Sequence, residues 1–244
     1  MRYFIRFGYR GTNYHGSQRQ PNGISVQEVM EDAMTRILRE PIALTFAGRT
    51  DAGVHAEEMY AHFEMPNAPC ELKDLVYHLN ALLPADIVVY DIYPVPADAH
   101  ARFDAKARRY EYRIMWKKDP FLLSLRARVG EGLDFEAMNE AAHYLLGQQD
   151  FASFCKVHTD VKTTICDVRH ARWIYDREKR EATFTIEADR FLRNMVRAVV
   201  GTLYLVGRHK ITVEDFQTII ACQDRCSAGD SASPEGLYLV KVSY

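Results

Sequence analysis

One carboxylate, one guanidinium, one hydroxyl, one imidazole and two glycines fall within the run Phe46-Ala47-Gly48-Arg49-Thr50-Asp51-Ala52-Gly53-Val54-His55-Ala56. The run follows Ile42, Leu44 and Phe46, whose alternation reads as a strand. Chemistry-bearing side chains are therefore placed on a loop held by rigid elements. The two glycines suit a backbone that bends tightly or that a ligand approaches closely. Asp51, between them, is the first candidate for a functional carboxylate. A plainer reading of the same residues makes Asp51 the closing residue of an Asx-turn.

Few other groups compete with it. The sequence has no G-x-x-x-x-G-K-[ST] phosphate loop, no G-x-G-x-x-G and no G-x-S-x-G elbow. That argues against nucleotide-dependent transfer and dinucleotide redox chemistry. His55, His62, Cys222 and Cys226 are the metal-ligand candidates, but they form neither H-E-x-x-H nor two matched cysteine pairs. They read better as ordinary histidines and structural thiols than as a metal site. Arg197 lies between Val196 and Ala198 in an apolar helical stretch, where a guanidinium costs desolvation unless a carboxylate or phosphate answers it. Tyr110 lies in a strand beside Arg108 and Arg109, and reads equally as core or as a ring for stacking on a nucleobase.

Charge gives these candidates a context. The chain of 244 residues has a net charge of −2. Between residues 101 and 130, however, nine basic residues (Arg102, Lys106, Arg108, Arg109, Arg113, Lys117, Lys118, Arg126, Arg128) face only Asp104, Glu111 and Asp119. A second group is Arg190, Arg193, Arg197, Arg208 and Lys210. A charge run is usually a solvated face. Local positive charge with interleaved tyrosines on a near-neutral chain fits a phosphate-binding groove better. The five cysteines, at 70, 155, 166, 222 and 226, form no C-x-x-C and are expected as free thiols in a reducing cytosol. The start of the sequence enters a strand pattern with no signal-peptide core, and no apolar run reaches membrane-span length.

The elements that must position the candidates follow from periodicity. Residues 2–9 alternate, with Tyr3, Ile5, Phe7 and Tyr9 on one face, as a strand. A polar, glycine-rich loop covers 10–24. Ser25-Val26-Gln27-Glu28 is a capping box opening a helix to about Glu40, with Val26, Val29, Met30, Ala33, Ile37 and Leu38 as its buried stripe. Strands are expected over 41–47, 58–64 and 87–95, with a helix from Leu72 to Leu83. Beyond Pro94 and Pro96 the order recurs: strand 107–116, helix 134–146, strands 164–175 and 181–188, helix 190–206, an added helix 212–222 and a last strand 237–243. The fold class is thus α+β. Two ferredoxin-like (βαββαβ) halves with antiparallel sheets, 1–98 carrying the Asp51 loop and 99–244 completing a central cleft, are expected.

The signature Gly48-Arg49-Thr50-Asp51-Ala52-Gly53-Val54-His55-Ala56 resembles that of the tRNA pseudouridine synthase A family. The resemblance continues through Gly11-Thr12-Asn13-Tyr14-His15-Gly16, His100-Ala101-Arg102-Phe103-Asp104-Ala105 and Arg108-Arg109-Tyr110. It extends through Asp150-Phe151-Ala152-Ser153-Phe154, Asn194-Met195-Val196-Arg197 with Gly201, and Pro234-Glu235-Gly236-Leu237-Tyr238-Leu239. It implies an enzyme that converts uridine to pseudouridine at positions 38, 39 and 40 of the tRNA anticodon stem-loop, as a cytoplasmic homodimer, with no cofactor and no metal. It also implies residue roles. Asp51 is the nucleophile. Tyr110 stacks near the uracil and is a candidate for proton removal at C5. Arg197 pairs with the aspartate, Arg49 keeps the target nucleotide out of its stack, and Leu237 gives an apolar wall.

Two positions depart from the family pattern. Ser17 stands where a tryptophan is frequent, which bears on how the early loop packs or grips RNA, and Arg193 stands where a tyrosine is common, which adds positive charge. The chemistry suits a lone carboxylate. Glycoside hydrolysis uses two carboxylates, one of them to activate water, whereas here the base is kept and water is a side reaction. Extracting the uracil from its stack costs about a few kcal/mol, which phosphate contacts offset. Two other classes remain as rivals: a non-catalytic RNA-binding protein on the same scaffold, which would have no use for a carboxylate that repels phosphate, and a metal-dependent nuclease, which would want several clustered acids.

Overall fold

The computed structural model describes residues 1–66, 71–156 and 162–244. The chain forms two compact units, Met1–Lys106 with Leu239–Tyr244, and Ala107–Tyr238. The expected division at 98/99 differs from this in two places. Residues 99–106 stay with the first unit because hydrogen bonds tie them there. Arg2 Nη1 donates to the Ala99 carbonyl (3.0 Å), Ala101 N–H to His62 Nδ1 (3.1 Å) and Lys106 N–H to the Ser243 carbonyl (2.7 Å). The final strand also belongs there from Leu239 onward.

In the first unit, β1 (Arg2–Tyr9) lies between β3 (His55–Glu64) and β4 (Ile87–Val95), antiparallel to both, with Ile5 opposite Ala61 and Ile92. β2 (Thr45–Phe46) pairs antiparallel with β3 through Phe46 and Ala61. The order β4-β1-β3-β2, with α1 (Val26–Leu38) after the first strand and α2 (Leu72–Leu82) after the third, is the ferredoxin-like arrangement. β10 (Leu237–Ser243) also borders β3. The strand expected over 41–47 shortens to two residues because side chains of α1 take its backbone donors. Leu44 N–H goes to Glu31 Oε1 (2.9 Å) and Ile42 N–H to Thr35 Oγ1 (3.3 Å), leaving little for a sheet ladder. Ser25 caps α1 by accepting the Glu28 N–H (3.2 Å). The helix buries Val26, Met30, Ala33 and Met34, while Val29, Ile37 and Leu38 are only half-buried. It ends at Leu38, short of Glu40, where Arg39 turns left-handed at φ 58°. β1 buries Phe4 as well as Tyr3, Ile5, Phe7 and Tyr9, with the Tyr244 ring on Phe4 (5.1 Å between centroids).

In the second unit, β5 (Ala107–Met115), β9 (Glu181–Ala188), β8 (Ile165–Asp176) and β7 (Gly147–Asp150) pair antiparallel in that order. A two-residue β6 (Ala127–Arg128) runs parallel to β5. Neither β6 nor β7 was expected. α3 (Phe135–His143) is capped by Asp134, whose carboxylate accepts the N–H groups of Glu136 and Ala137 (3.0 Å each). α4 (Met195–Gly207) is nearly all buried, and α5 (Val213–Cys222) carries a capping box from Thr212 and Asp215. The helix expected from Arg190 begins five residues later. Asn194, at φ 67°, has a left-handed backbone that helical propagation does not permit. The last strand, expected over 237–243, has its first two residues, Leu237 and Tyr238, in this unit.

Among the described residues, no helix is long and apolar enough to cross a membrane. Cys70 lies outside the described residues; Cys155 and Cys166 are buried thiols, and Cys222 and Cys226 are exposed ones.

Candidate active site

Residues 47–54 leave β2 and return into β3 as a loop whose inner side is fixed and whose outer side is presented. Thr50 is the anchor. Its hydroxyl shares a 2.7 Å hydrogen bond with the Tyr9 hydroxyl, its N–H donates to Ser17 Oγ (2.9 Å), and its carbonyl accepts the Ser17 N–H (3.2 Å). Tyr9, Ser17 and Thr50 are all buried. Asp51 follows directly and is half-buried. Val54 N–H donates to the backbone carbonyl of Asp51 (3.2 Å), with Gly53 at φ 80° completing the turn. An Asx-turn would need the Gly53 N–H, but that donor points to the Tyr14 carbonyl (3.4 Å). Arg49 is exposed and, among the described residues, makes no ion pair.

The glycine-rich 10–24 loop is the brace. The Gly11 N–H donates to His55 Nδ1 (3.0 Å), so a fully buried imidazole serves as a backbone acceptor. A Cβ at Gly11 would collide with the Val54 carbonyl, and one at Gly16 would meet the Thr50 carbonyl at 2.8 Å. The two loops thus touch backbone to backbone, which explains why both blocks carry glycine. His62 has a similar job, with Nδ1 accepting the Ala101 N–H. Burial, followed by the nearby His100 and Arg2, lowers its pKa below the usual histidine value. Among the described residues, no group of three or more His, Cys, Asp or Glu side chains is placed to hold a metal.

The second unit carries Tyr110, Arg197 and Leu237. Tyr110 sits on β5 opposite Ile186, half-buried, with the Phe191 ring edge-on at 5.0 Å. Arg197 is in the first turn of α4. Its Nε donates to the Ala232 carbonyl (2.6 Å), and Ala232 N–H returns a bond to the Arg197 carbonyl (2.9 Å). A backbone carbonyl, rather than only a carboxylate or phosphate, thus answers part of this guanidinium. The segment 229–232 runs along α4, with Gly229 N–H on Thr202 Oγ1 (3.0 Å) and Asp230 so close to Gly201 that a Cβ there has no room. It leads into Pro234-Glu235-Gly236, which packs on β5 through Tyr112, whose hydroxyl donates to the Ser233 carbonyl (2.8 Å). Burial pushes the Tyr112 pKa up to about 12, so that hydroxyl stays a donor. Leu237 follows, buried. Arg193 is half-buried, and its Nε has no hydrogen-bond partner among the described residues.

The basic segment is partly neutralised. Arg109 pairs with Glu187 (2.7 Å), Arg113 with Glu111 (2.6 Å) and Arg126 with Glu181 (3.0 Å). Lys117, Lys118 and Arg128 are exposed and, among the described residues, form no ion pair. Sequence reasoning passed over Tyr9, Ser17 and Thr50 as working residues. Small hydroxyls carry no spacing signal.

Known proteins agree on the class. The profile of the family described as "tRNA pseudouridine synthase" matches residues 7–104 and 141–244. The chain belongs to the tRNA pseudouridine synthase family and is an isomerase of that kind. Its relatives include proteins named tRNA pseudouridine synthase A from Bacteroides fragilis (54% identical, covering all of this chain and 96% of that protein) and Porphyromonas gingivalis (52%, covering 100% and 97%). The one from Thermoanaerobacter pseudethanolicus is 41% identical, covering 97% and 96%.

Proposed function

We propose that this chain converts uridine to pseudouridine at positions 38, 39 and 40 of the tRNA anticodon stem-loop, with Asp51 as nucleophile and no cofactor. The observation that carries the reading is the Asp51 loop: a carboxylate next to a residue anchored by three hydrogen bonds, flanked by an exposed Arg49. Fixed placement of this kind is what an attacking group needs. The reaction is an isomerisation. The C1′–N1 bond breaks, a C1′–C5 bond forms, C5 gives up its proton and N1 gains one. Nothing is oxidised or reduced, so the residues themselves can supply all the chemistry.

In this reading Arg197 is the basic residue that pairs with Asp51. Tyr110 stacks near the uracil and is the candidate for C5 proton removal. Arg49 holds the nucleotide out of its stack, and Leu237 provides apolar wall. The protein works on tRNA in the cytosol as a homodimer. The test is to incubate it with unmodified tRNA and map pseudouridine by position. Asp51→Ala should abolish product while tRNA affinity stays within a few-fold. Retained turnover refutes the role of Asp51, and product outside the anticodon arm refutes the substrate. The non-catalytic RNA-binding alternative predicts no product from the wild type.

A further inference from the structure

The His100–Asp104 turn is built more firmly than a surface connection requires. His100 N–H donates to the Asp104 carboxylate (2.7 Å), and Asp104 N–H returns to the His100 carbonyl (3.1 Å). His100 Nδ1 accepts the N–H of Arg102 (3.1 Å), and the Ala101 carbonyl accepts the Tyr244 hydroxyl (2.7 Å). With the bonds from Arg2 to Ala99 and from Ala101 to His62, the turn is pinned from β1, from β3 and from Tyr244, which follows β10. What it holds out is Phe103, which is 75% exposed. A column of rings stands behind it: buried His62, then His100 (4.6 Å between centroids), then Phe103 (4.2 Å from His100, planes 33° apart). The Arg102 guanidinium lies 5.8 Å from the Phe103 ring centre.

A large aromatic ring held this far into solvent loses hydrophobic stabilisation unless something covers it. Its rigidity removes the ordering cost of binding. A ring supported on one side by an imidazole and flanked by a guanidinium matches the chemistry of an unpaired base with its phosphate, in which the base stacks and the phosphate meets the cation. An apolar protein partner would be served worse by a site with the Arg102 cation beside its exposed ring. We infer that Phe103 is a stacking platform for an unpaired base of the bound tRNA, other than the target uracil, with Arg102 answering the adjoining phosphate.

The inference rests on the tRNA-modifying reading, and its test separates the two. Binding of unmodified tRNA is measured in the Asp51→Ala background, where turnover does not intervene, and kcat is measured with Asp51 intact. Phe103→Ala should weaken binding about 5- to 150-fold, the equivalent of the ~1–3 kcal/mol of one base–aromatic stack, and leave kcat at saturating tRNA within about two-fold. Phe103→Leu should be as weak as alanine, because it keeps apolar bulk without a ring face. Phe103→Trp should bind like the parent and change its fluorescence when tRNA is added, over the background of the two native tryptophans. Wild-type affinity in Phe103→Ala, full rescue by leucine, or a change of oligomeric state on sedimentation each overturns the inference, the last by showing that the ring packs on a second copy. A wild type that makes no pseudouridine sinks the functional reading alone, since the binding series still reports the stack.

Discussion

Gly16→Ala tests whether the early loop sets the position of Asp51. Gly16 has φ 99°, a region where a side chain is strained, and its added Cβ would lie 2.8 Å from the Thr50 carbonyl oxygen. Ordinary contact begins at 3.4 Å, so the two backbones must part by about 0.6 Å. The strain of a non-glycine residue there is about 1–3 kcal/mol. For a chain of this length, 1 kcal/mol moves the melting temperature by about 2–4 °C, which gives a fall of about 2–12 °C. The Thr50 carbonyl is bonded directly to the Asp51 nitrogen, so the retreat carries the carboxylate with it. A 1 Å misplacement of a reacting group costs about 100-fold in rate, and a shift near half of that costs on the order of 10-fold. Thermal melts followed by circular dichroism give the first number, and single-turnover pseudouridine formation with saturating enzyme gives the second. A lowered melting temperature with wild-type turnover would refute the coupling between the two loops. Wild-type values for both would refute the close approach itself.

Gly48→Ala should behave in the opposite way. A Cβ there meets nothing within 4 Å and no left-handed φ requires glycine, so stability should be unchanged or rise by up to about 1 kcal/mol. A rise in KM for tRNA would show that the substrate occupies this space, and an unchanged KM would show that it does not. Arg197→Met should lower kcat at least about 10-fold with tRNA affinity within a few-fold. It should also lower the melting temperature, since a charged hydrogen bond to Ala232 is lost; unchanged turnover would leave Arg197 as a tie between α4 and the 229–232 segment only. His62 has a folded-state pKa below its unfolded value. As pH falls below about 6.5, the unfolded chain takes up a proton that the folded chain resists, so stability falls in that window. His62→Gln should flatten the profile between pH 7 and 5, and an unaltered slope would contradict the assignment.

Elements that declare themselves by burial period were legible in the residues. Strands 87–95, 181–188 and 237–243 match to the residue: every second residue of 181–188 is buried, and 237–243 opens on a short buried apolar run. The errors have local causes that periodicity does not encode. Ile42 and Leu44 are buried as a strand would bury them, yet their N–H groups go to Thr35 and Glu31 of a helix. Phe191 and Leu192 extend the apolar pattern ahead of Met195, but one left-handed residue, Asn194, delays the helix. In the site, Asp51 and its two glycines stood out because their types are unusual together. The Tyr9–Thr50–Ser17 anchor did not, because it joins residues 41 and 33 positions apart through single hydroxyls. The basic excess over 101–130 is divided between paired and unpaired cations, Lys117, Lys118 and Arg128 being exposed without an ion pair among the described residues. Arg109, Arg113 and Arg126 face carboxylates supplied by β5 and β9, which partly offset their charge.

The glycines divide the signature loop into two faces, and that division bears on the choice between a binder and a catalyst. Gly11 and Gly16 are demanded from within, by the Val54 and Thr50 carbonyls they touch. Gly48 is demanded by nothing within the folded chain. Thr50, Val54 and His55 are buried, while Arg49 and Ala52 are exposed and Asp51 is half-buried between them. The inner face is thus locked and the outer face is left low and open. A protein that only held RNA would gain from Arg49 on such a face and lose from Asp51, whose charge opposes the phosphates that Arg49 attracts. Keeping a carboxylate there, next to a residue fixed by three hydrogen bonds, makes sense when the carboxylate itself reacts with what the arginine holds.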